Sequence, residues 1–269
     1  MPVRDTALDF GAVRSAILAN EETIVRVAEQ RGESAVVEEI RETAAKLADN
    51  RFYLAVLGQF KRGKTTLINS LLGVDLLPVA VVPLTSIITI LSYGEGPDVT
   101  VRFLSGETQK IQMQELEYYV TERHNPRNAK AVKHVDVRYP SPYLRDGILL
   151  VDTPGVGSTY EHNTEVTHSF LARVDAAIFL VSVDPPLTQA EAEFLRRAKE
   201  EVHHFFFVLN KIDLMTPAET QESLAFTRAQ SGLVHFERAS DLARCFRPAK
   251  FFGRIRAADG GLPALPSTT

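Results

Sequence analysis

A glycine-rich loop between a buried strand and a helix constrains this chain more than any other feature of its sequence. The run GQFKRGKT at 58–65 fits the phosphate-binding pattern G-x-x-x-x-G-K-[ST]. The apolar run FYLAVL precedes it, and TLINSLL follows it with its apolar residues at helical spacing. Strand, glycine loop and helix in this order predict an α/β fold that binds a nucleoside triphosphate at the loop.

The residue types in this loop suit phosphate binding. Gly58 and Gly63 let the backbone turn tightly and approach phosphate oxygens, to which the loop N–H groups present partial positive charge. Lys64 is expected to reach the β- and γ-phosphates, and the Thr65 hydroxyl is expected to ligate Mg²⁺. The predicted contacts with the phosphates are Gly58, Gln59, Phe60, Lys61, Arg62, Gly63, Lys64, Thr65 and Thr66.

A second motif, NKID at 210–213, indicates which base is bound. The Asp213 carboxylate can accept hydrogen bonds from N1–H and the 2-amino group of guanine. Adenine offers neither donor and would leave the carboxylate unpaired, at a cost of about 1–3 kcal/mol. The aliphatic stem of Lys211 can lie across the base, and Asn210 can tie this loop to the phosphate loop. The motif therefore predicts GTP rather than ATP.

The run ILLVDTPG at 148–155 supplies the metal and switch residues. Asp152 follows an apolar strand and is expected to hold Mg²⁺ through water. The N–H group of Gly155 can meet the γ-phosphate only when that phosphate is present, so the segment after it is predicted to be a switch.

A further Mg²⁺ ligand is expected from a threonine between the phosphate-loop helix and the next strand. Thr85 is the preferred candidate, and Ser86 and Thr89 are its rivals. The Thr85 hydroxyl would complete the coordination of Mg²⁺, and its carbonyl would orient the attacking water.

Together these motifs resemble the bacterial dynamin-like GTPases over residues 51–230. The resemblance rests on GQFKRGKTTLINSLLG, LPVAVVPLTS, LLVDTPGVGS and LNKID, and on the long segment between Thr85 and Asp152. It implies a Mg²⁺-dependent GTP hydrolase that dimerises across its nucleotide face and turns over faster as a dimer. It also implies a membrane-remodelling role that depends on helical regions outside this domain. The alternative hypothesis is a GTP-dependent switch or assembly module with little turnover.

Two positions depart from related proteins. Position 156 is valine, where many signalling GTPases have a glutamine that orients water. Lys61 and Arg62 stand where eukaryotic dynamins carry a serine. The related atlastin GTPases use an arginine at the position that matches Lys61, which implies that Lys61 supplies a positive charge in cis. The alternative is that both cations face solvent. The predicted catalytic residues are thus Lys64, Thr85 and Lys61.

The chain is predicted to have three parts. Two helices are predicted in residues 1–50, and the resemblance implies that they belong to a neck-like segment; the alternative is that they pack on the GTPase domain. The dynamin-type GTPase domain is predicted at residues 51–236. Strands alternate with helices there, which favours a mainly parallel sheet covered by helices on both faces, with an antiparallel strand and a helix near 112–123 in an insertion. Residues 237–269 predict a poorly ordered tail. The second N-terminal helix is expected to carry an apolar stripe of Val36, Ile40, Ala44 and Leu47.

Composition argues against a membrane-spanning protein, a protein with a signal peptide and a disulfide-stabilised protein. The chain is 45% hydrophobic and 24% charged with a net charge of −4, and it has no run of about 18 apolar residues and no apolar signal core. A single cysteine, Cys245, excludes an intramolecular disulfide and a cysteine-based metal site. A cytoplasmic protein is expected, with peripheral membrane contact through regions outside this chain or through its basic tail. The predicted partners are GTP or GDP and a second copy of the chain, and no nucleic acid.

The sequence after residue 230 lacks both helical period and strand alternation, as expected of a truncated, frameshifted or fragment product. Limited proteolysis tests this interpretation. Rapid cleavage after the arginines between 238 and 256 should leave a stable GTP-binding core, because too few apolar residues recur there to offset about 1–2 kcal/mol of ordering entropy per residue. Resistance to protease throughout that stretch would mean that the tail is packed.

Overall fold

The computed structural model describes residues 10–48, 51–79, 86–145, 147–156, 161–182, 187–231 and 237–238. The chain forms two compact units, Met1–Arg51 and Phe52–Thr269. In the described residues no helix is both long enough and apolar enough to cross a membrane.

The first unit is a pair of helices, α1 (Phe10–Gln30) and α2 (Ser34–Ala48). Val25 and Ala28 of α1 are buried against Val37 of α2. The predicted stripe on α2 is therefore wrong at its first position, because Val36 is 41% exposed and Val37 takes its place. A shift of one residue turns a side chain by about 100° around a helix, which is enough to move it off the buried face.

The described part of the second unit contains a nine-stranded sheet. Its strands are β1 (Phe52–Gly58), β2 (Thr89–Tyr93), β3 (Asp98–Phe103), β4 (Thr108–Ile111), β5 (Val132–Tyr139), β6 (Ile148–Asp152), β7 (Ala176–Ser182), β8 (His204–Asn210) and β9 (Glu237–Arg238). Their order in the sheet is β4-β3-β5-β2-β6-β1-β7-β8-β9.

One side of the sheet, from β6 to β9, is parallel, and the other side is mixed. Strands β6, β1, β7, β8 and β9 run in one direction, whereas β2 pairs with β6 in antiparallel fashion. The strands β5, β3 and β4 continue the sheet beyond β2. All seven residues of β7 are buried, as expected of a strand covered on both faces, whereas exposed and buried residues are interspersed along β5.

Helices cover both faces of the sheet. They are α3 (Lys64–Leu72), the short α4 (Glu117–Val120), α5 (Glu161–Leu171), α6 (Gln189–Glu201) and α7 (Pro217–Ser231). Ile68 of α3 packs in the same apolar cluster as Leu54 of β1. Phe194 of α6 packs in a second cluster with Leu57 and Phe179. Because Leu54 and Leu57 are three residues apart in one strand, they lie on opposite faces. The predicted fold class is confirmed.

Two details of the insertion differ from the sequence-based expectation. The helix expected near 112–123 is a 3₁₀ turn, Met113–Glu115, followed by α4. The helix ends there because Thr121 adopts an extended conformation and its hydroxyl donates to the Glu117 carbonyl. Strand β4 was not expected, since its polar residues are typical of a loop. It forms because its backbone pairs with β3 at the edge of the sheet.

The carboxyl end of the domain extends past its predicted limit at residue 236. Backbone pairing with β8 brings Glu237 opposite Val208 and Arg238 opposite Leu209. Residues 232–236 and the tail after 238 lie outside the described residues.

Candidate nucleotide-binding site

Three predicted motifs meet at one edge of the sheet. Strands β1, β6 and β8 run in the same direction, so their carboxyl ends lie together. Val56 of β1 is level with Asp152 of β6. On the other side of β1, Gly58 is level with Leu180 of β7. Two residues further along β7, Ser182 is opposite Asn210 of β8. The phosphate loop, the predicted metal residue and the predicted base loop are therefore neighbours.

At two positions the phosphate loop has a backbone conformation that residues with a side chain rarely adopt. Gly58 has φ 144° and Gly63 has φ 89°. A Cβ at Gly58 would lie 2.6 Å from the Leu180 carbonyl oxygen, and one at Gly63 would lie 2.6 Å from Nδ2 of Asn210. A side chain at either position would displace a neighbouring strand end or the base loop.

Lys64 is the first residue of α3, and its ammonium lies over the loop backbone. Its Nζ donates to the carbonyl oxygens of Gly58, at 3.0 Å, and Gln59, at 3.2 Å. Burial lowers the pKa of Lys64 to about 8, while the carboxylates of Asp152 and Glu191 oppose this shift and the Arg62 guanidinium adds to it. Triphosphate oxygens at the loop would favour the charged form of this amine.

Asp152 and Thr65 form the arrangement expected for a Mg²⁺ site. The Thr65 hydroxyl donates to Oδ2 of Asp152 at 2.8 Å, and Oδ1 has no hydrogen-bond partner among the described residues. Burial raises the pKa of Asp152 to about 6, although Lys64 and hydrogen bonds from Thr65 and Thr153 oppose the shift. A buried carboxylate oxygen without a partner beside a hydroxyl is a donor set that suits Mg²⁺, which takes few protein ligands and the rest from phosphates and water. The residues present therefore fit this ion.

The predicted base loop is attached directly to the phosphate loop. Nδ2 of Asn210 donates to the Arg62 carbonyl oxygen at 2.8 Å. Lys211 is half-buried in a left-handed conformation, φ 60°, and begins the 3₁₀ turn Ile212–Leu214. Asp213 is exposed in that turn, where a base could cover its carboxylate.

The predicted switch begins against the phosphate loop. Gly155 is buried next to the Phe60 backbone, and the Val156 N–H donates to the Gly58 carbonyl at 3.3 Å. The Val156 side chain is 1% exposed and belongs to the apolar core. It therefore contributes only its backbone to this edge of the sheet.

The preferred threonine, Thr85, lies outside the described residues, but its two rivals are described. Ser86 is buried, and its N–H donates to the Val120 carbonyl at 2.9 Å. Thr89 is buried in β2 opposite Asp152. On the other side of the gap, Asn69 of α3 holds the Leu77 backbone through two hydrogen bonds of 2.9 Å.

The two cations of the loop have different environments. Lys61 is exposed with φ 64°, and its Nζ lies 5.3 Å from the centroid of the Phe60 ring. Arg62 is 3% exposed and forms an ion pair with Glu191, so the hypothesis that both cations face solvent is wrong for Arg62. Of the other predicted contacts, Gln59 is half-buried and Thr66 is exposed on the first turn of α3.

Sequence reasoning missed Glu191 and Asn69. Glu191 has a visible signal, because T-x-x-E at 188–191 is a capping box that predicts the start of a helix. That signal predicts a cap and gives no indication of a contact with the phosphate loop. Asn69 lies inside the helix that follows the loop motif, where a polar residue facing the core is the only local hint.

The fold and the site define a P-loop GTPase domain. The model of the dynamin family matches residues 54–213. The chain therefore belongs to the dynamin family, as the sequence motifs predict.

Known relatives agree with this assignment. A protein from Caldicellulosiruptor sp. (strain Rt8B.4), called "Uncharacterized protein in xynA 3'region", is 50% identical over 182 residues, which are 68% of this chain and 45% of the relative. The bacterial dynamin-like protein of Nostoc punctiforme is 31% identical over 202 residues, which are 69% of this chain and 29% of that protein. This chain thus spans less than half of the length of either relative.

A solved structure has the same fold. It is reported as an oligomerised bacterial dynamin pair that provides a mechanism for the long-range sensing and tethering of membranes. It superimposes with a TM-score of 0.56 at 26% identity, over 76% of this chain and 33% of the other.

The environment of Asp152 generates a prediction about metal dependence. Asp152→Asn keeps the shape of the side chain but removes its charge. Mg²⁺ should increase the affinity of the unmodified chain for GTP, and we expect this increase to be smaller by roughly tenfold or more in the variant. The reason is that a neutral ligand replaces a charged one. Nucleotide titrations with Mg²⁺ and with a chelator measure this effect.

The matched control for this variant is Asp98→Asn, which removes a carboxylate of an exposed ion pair with Lys110 in the insertion. It should respond to Mg²⁺ as the unmodified chain does. A full Mg²⁺ effect in Asp152→Asn would show that this carboxylate is not part of the metal site.

Proposed function

We propose that this chain binds GTP and hydrolyses it to GDP and phosphate in a Mg²⁺-dependent reaction. The observation that carries the proposal is the hydrogen bond from Asn210 to the Arg62 carbonyl. It joins the loop with the guanine-binding residue types to the loop with the phosphate-binding residue types. A purine at one loop and a triphosphate at the other would therefore be held by a single connected surface.

Hydrolysis at this site would depend on positioning and electrostatic stabilisation, without a covalent intermediate. Lys64 would neutralise charge on the β- and γ-phosphates, and loop N–H groups would bind their oxygens. Thr65, Asp152 and the predicted ligand Thr85 would hold Mg²⁺. When bound, the ion supplies neutralisation of the charge that develops on the phosphates.

The attacking water needs a group other than the side chain at position 156. Val156 is apolar and buried, so it has neither a polar atom nor access to the water. The backbone N–H of Val156 donates to the Gly58 carbonyl, and this hydrogen bond fixes the start of the predicted switch. We assign orientation of the water to the Thr85 carbonyl and stabilisation of charge in cis to Lys61, which is exposed in the phosphate loop.

Self-association through the nucleotide face is the proposed means of reaching full activity. Its support is the family, together with the solved bacterial dynamins that are reported as oligomerised. Leu214 is 68% exposed directly beside Asp213, which gives this face an apolar residue that a partner can cover. Membrane remodelling is proposed for the longer protein of the family, through regions outside this chain or through the basic tail.

A GTP-dependent switch or assembly module with little turnover is the second candidate. Buried Val156 favours it, because an isolated domain without a water-orienting side chain in the switch is expected to turn over slowly. Both candidates bind GTP, and they differ in what dimerisation does to the rate.

The dependence of activity on protein concentration separates the two. If dimerisation completes the site, the rate of phosphate release per molecule should rise with concentration and then level off. The control is Lys64→Ala, which should abolish turnover with little change in thermal stability, because burial already disfavours the charged ammonium and the hydrogen bonds described for it go to loop carbonyls. A flat trace near zero with tight GTP binding would establish the switch, and normal turnover in Lys64→Ala would refute the site.

The identity of the base can be tested at Asp213. Asp213→Asn should weaken GTP binding by about 10- to 100-fold, because hydrogen bonds to a charged acceptor contribute about 1.5–3 kcal/mol. The same variant should gain affinity for xanthosine triphosphate, whose 2-oxo group can accept from the new amide. Parallel titrations with both nucleotides measure the exchange, and unchanged affinity for GTP would mean that guanine is recognised elsewhere.

A further inference from the structure

The arginine of the phosphate loop is paired with a buried carboxylate from α6. Nε of Arg62 donates to Oε1 of Glu191 at 2.8 Å, and Nη2 donates to Oε2 at 2.6 Å. The two side chains are 4% and 0% exposed. A buried two-pronged pair of this kind fixes the orientation of the guanidinium and not only its charge. The motif G-x-x-x-x-G-K-[ST] leaves position 62 open, so the motif does not account for this pair.

Glu191 also takes part in the capping box at the amino terminus of α6, in which Thr188 is the cap residue. Its Oε2 accepts from the backbone N–H and the hydroxyl of Thr188, each at 2.9 Å, and its own N–H donates to the Thr188 hydroxyl. One carboxylate thus joins the start of α6 to the phosphate loop. Since α6 packs on the sheet through Phe194, its first turn is a fixed point for the loop.

Arg62 transmits this constraint to both nucleotide loops. Its carbonyl accepts from Asn210 at 2.8 Å, its N–H donates to the Gln59 carbonyl at 3.3 Å, and Nη2 lies 3.3 Å from Oε1 of Gln59. The residues on either side of it, Lys61 and Gly63, are both left-handed. Arg62 is thus held by hydrogen bonds to its backbone and to its side chain, and this limits how far the loop can move.

We propose that Glu191 is a positioning residue for nucleotide binding, which acts by holding Arg62. This inference rests on the proposed function, because it assigns a role at the same GTP site. The carboxylate orients the guanidinium, the guanidinium fixes the loop backbone, and the loop N–H groups and the tether to Asn210 are thereby kept ready for GTP. Loss of such preorganisation weakens binding even when the contacting atoms remain.

The position of the ion pair also separates the roles of the two loop cations. The Arg62 guanidinium donates to Glu191 of α6 and to Gln59 of the loop, so its role is to hold the loop against α6. Lys61 is exposed and is the cation assigned to charge stabilisation. Glu191 can therefore position the loop whether or not Lys61 takes part in catalysis.

Three variants of the full chain test the proposal. Glu191→Gln keeps an acceptor for the helix cap but weakens the pair with Arg62. Arg62→Met/Glu191→Gln removes both charges, so that no buried charge is left without a counterion. Glu193→Gln is the matched control, because Glu193 is on the same helix and forms an exposed ion pair with Arg197 at 2.7 Å. The measurements are the affinity for fluorescent GDP, kcat and KM for GTP, and the thermal unfolding midpoint.

We expect Glu191→Gln to weaken GDP binding and raise KM by roughly 10- to 100-fold, as for a misplaced binding loop. The double variant should have a thermal midpoint close to that of the unmodified chain but should still bind GDP weakly. It contains no unpaired buried charge, but it lacks the ion pair that orients the loop. The Glu193→Gln control should match the unmodified chain. Should Glu191→Gln fail to fold, the double variant gives the decisive affinity.

Two results would overturn the inference. One is wild-type affinity in Glu191→Gln, and the other is a double variant that recovers affinity together with its thermal midpoint, which would make the pair purely structural. Failure of the unmodified chain to bind or hydrolyse GTP is a different outcome. It would refute the proposed function itself, and with it this role for Glu191.

Discussion

The shape of the phosphate loop depends on how closely a backbone carbonyl and a side-chain amide of the neighbouring strands approach it. The Leu180 carbonyl of β7 and the Asn210 amide occupy the space that a side chain at Gly58 or Gly63 would need. These approaches exist because β1, β7 and β8 are adjacent and parallel, so that their carboxyl ends are level. Every other feature of the site is built on this packing, including the position of Lys64 and the tether to the base loop.

The same packing buries charged side chains at the site, among them Arg62, Lys64 and Asp152. Transfer of an ammonium or a carboxylate out of water costs several kcal/mol unless a counterion or hydrogen bonds compensate for it. Arg62 is compensated by Glu191, and the charges of Lys64 and Asp152 favour each other's ionised form. Oδ1 of Asp152 still lacks a partner among the described residues, and this is the atom at which a cation would bring most relief. The buried carboxylate at this edge of the sheet would therefore be stabilised further by a bound cation.

Hydrogen bonds hold the backbone near both ends of the segment 80–85, which contains the predicted ligand Thr85. Before the gap at 80–85, Leu77 is fixed by Asn69 of α3 through two buried hydrogen bonds. After it, Ser86 is bonded to Val120, at the end of the short helix α4. Strand β2 then pairs with β6 and brings Thr89 opposite Asp152. The strands of the insertion thus extend the sheet and also connect to the metal side of the site.

Local patterns in the sequence were sufficient to predict the fold class, the family and the three motifs that meet at the sheet edge. Each motif is short, and its chemistry is carried by adjacent residues between an apolar strand and a turn or helix. The limits of the insertion helix, strand β4 and the first position of the stripe on α2 were not predicted correctly, because they depend on pairing and packing that outweigh weak local preference. The partner of Arg62 was decided by tertiary structure alone. Glu191 is 129 residues away along the chain, and only the parallel order of β1 and β7, with α6 packed against them, brings its carboxylate to the phosphate loop.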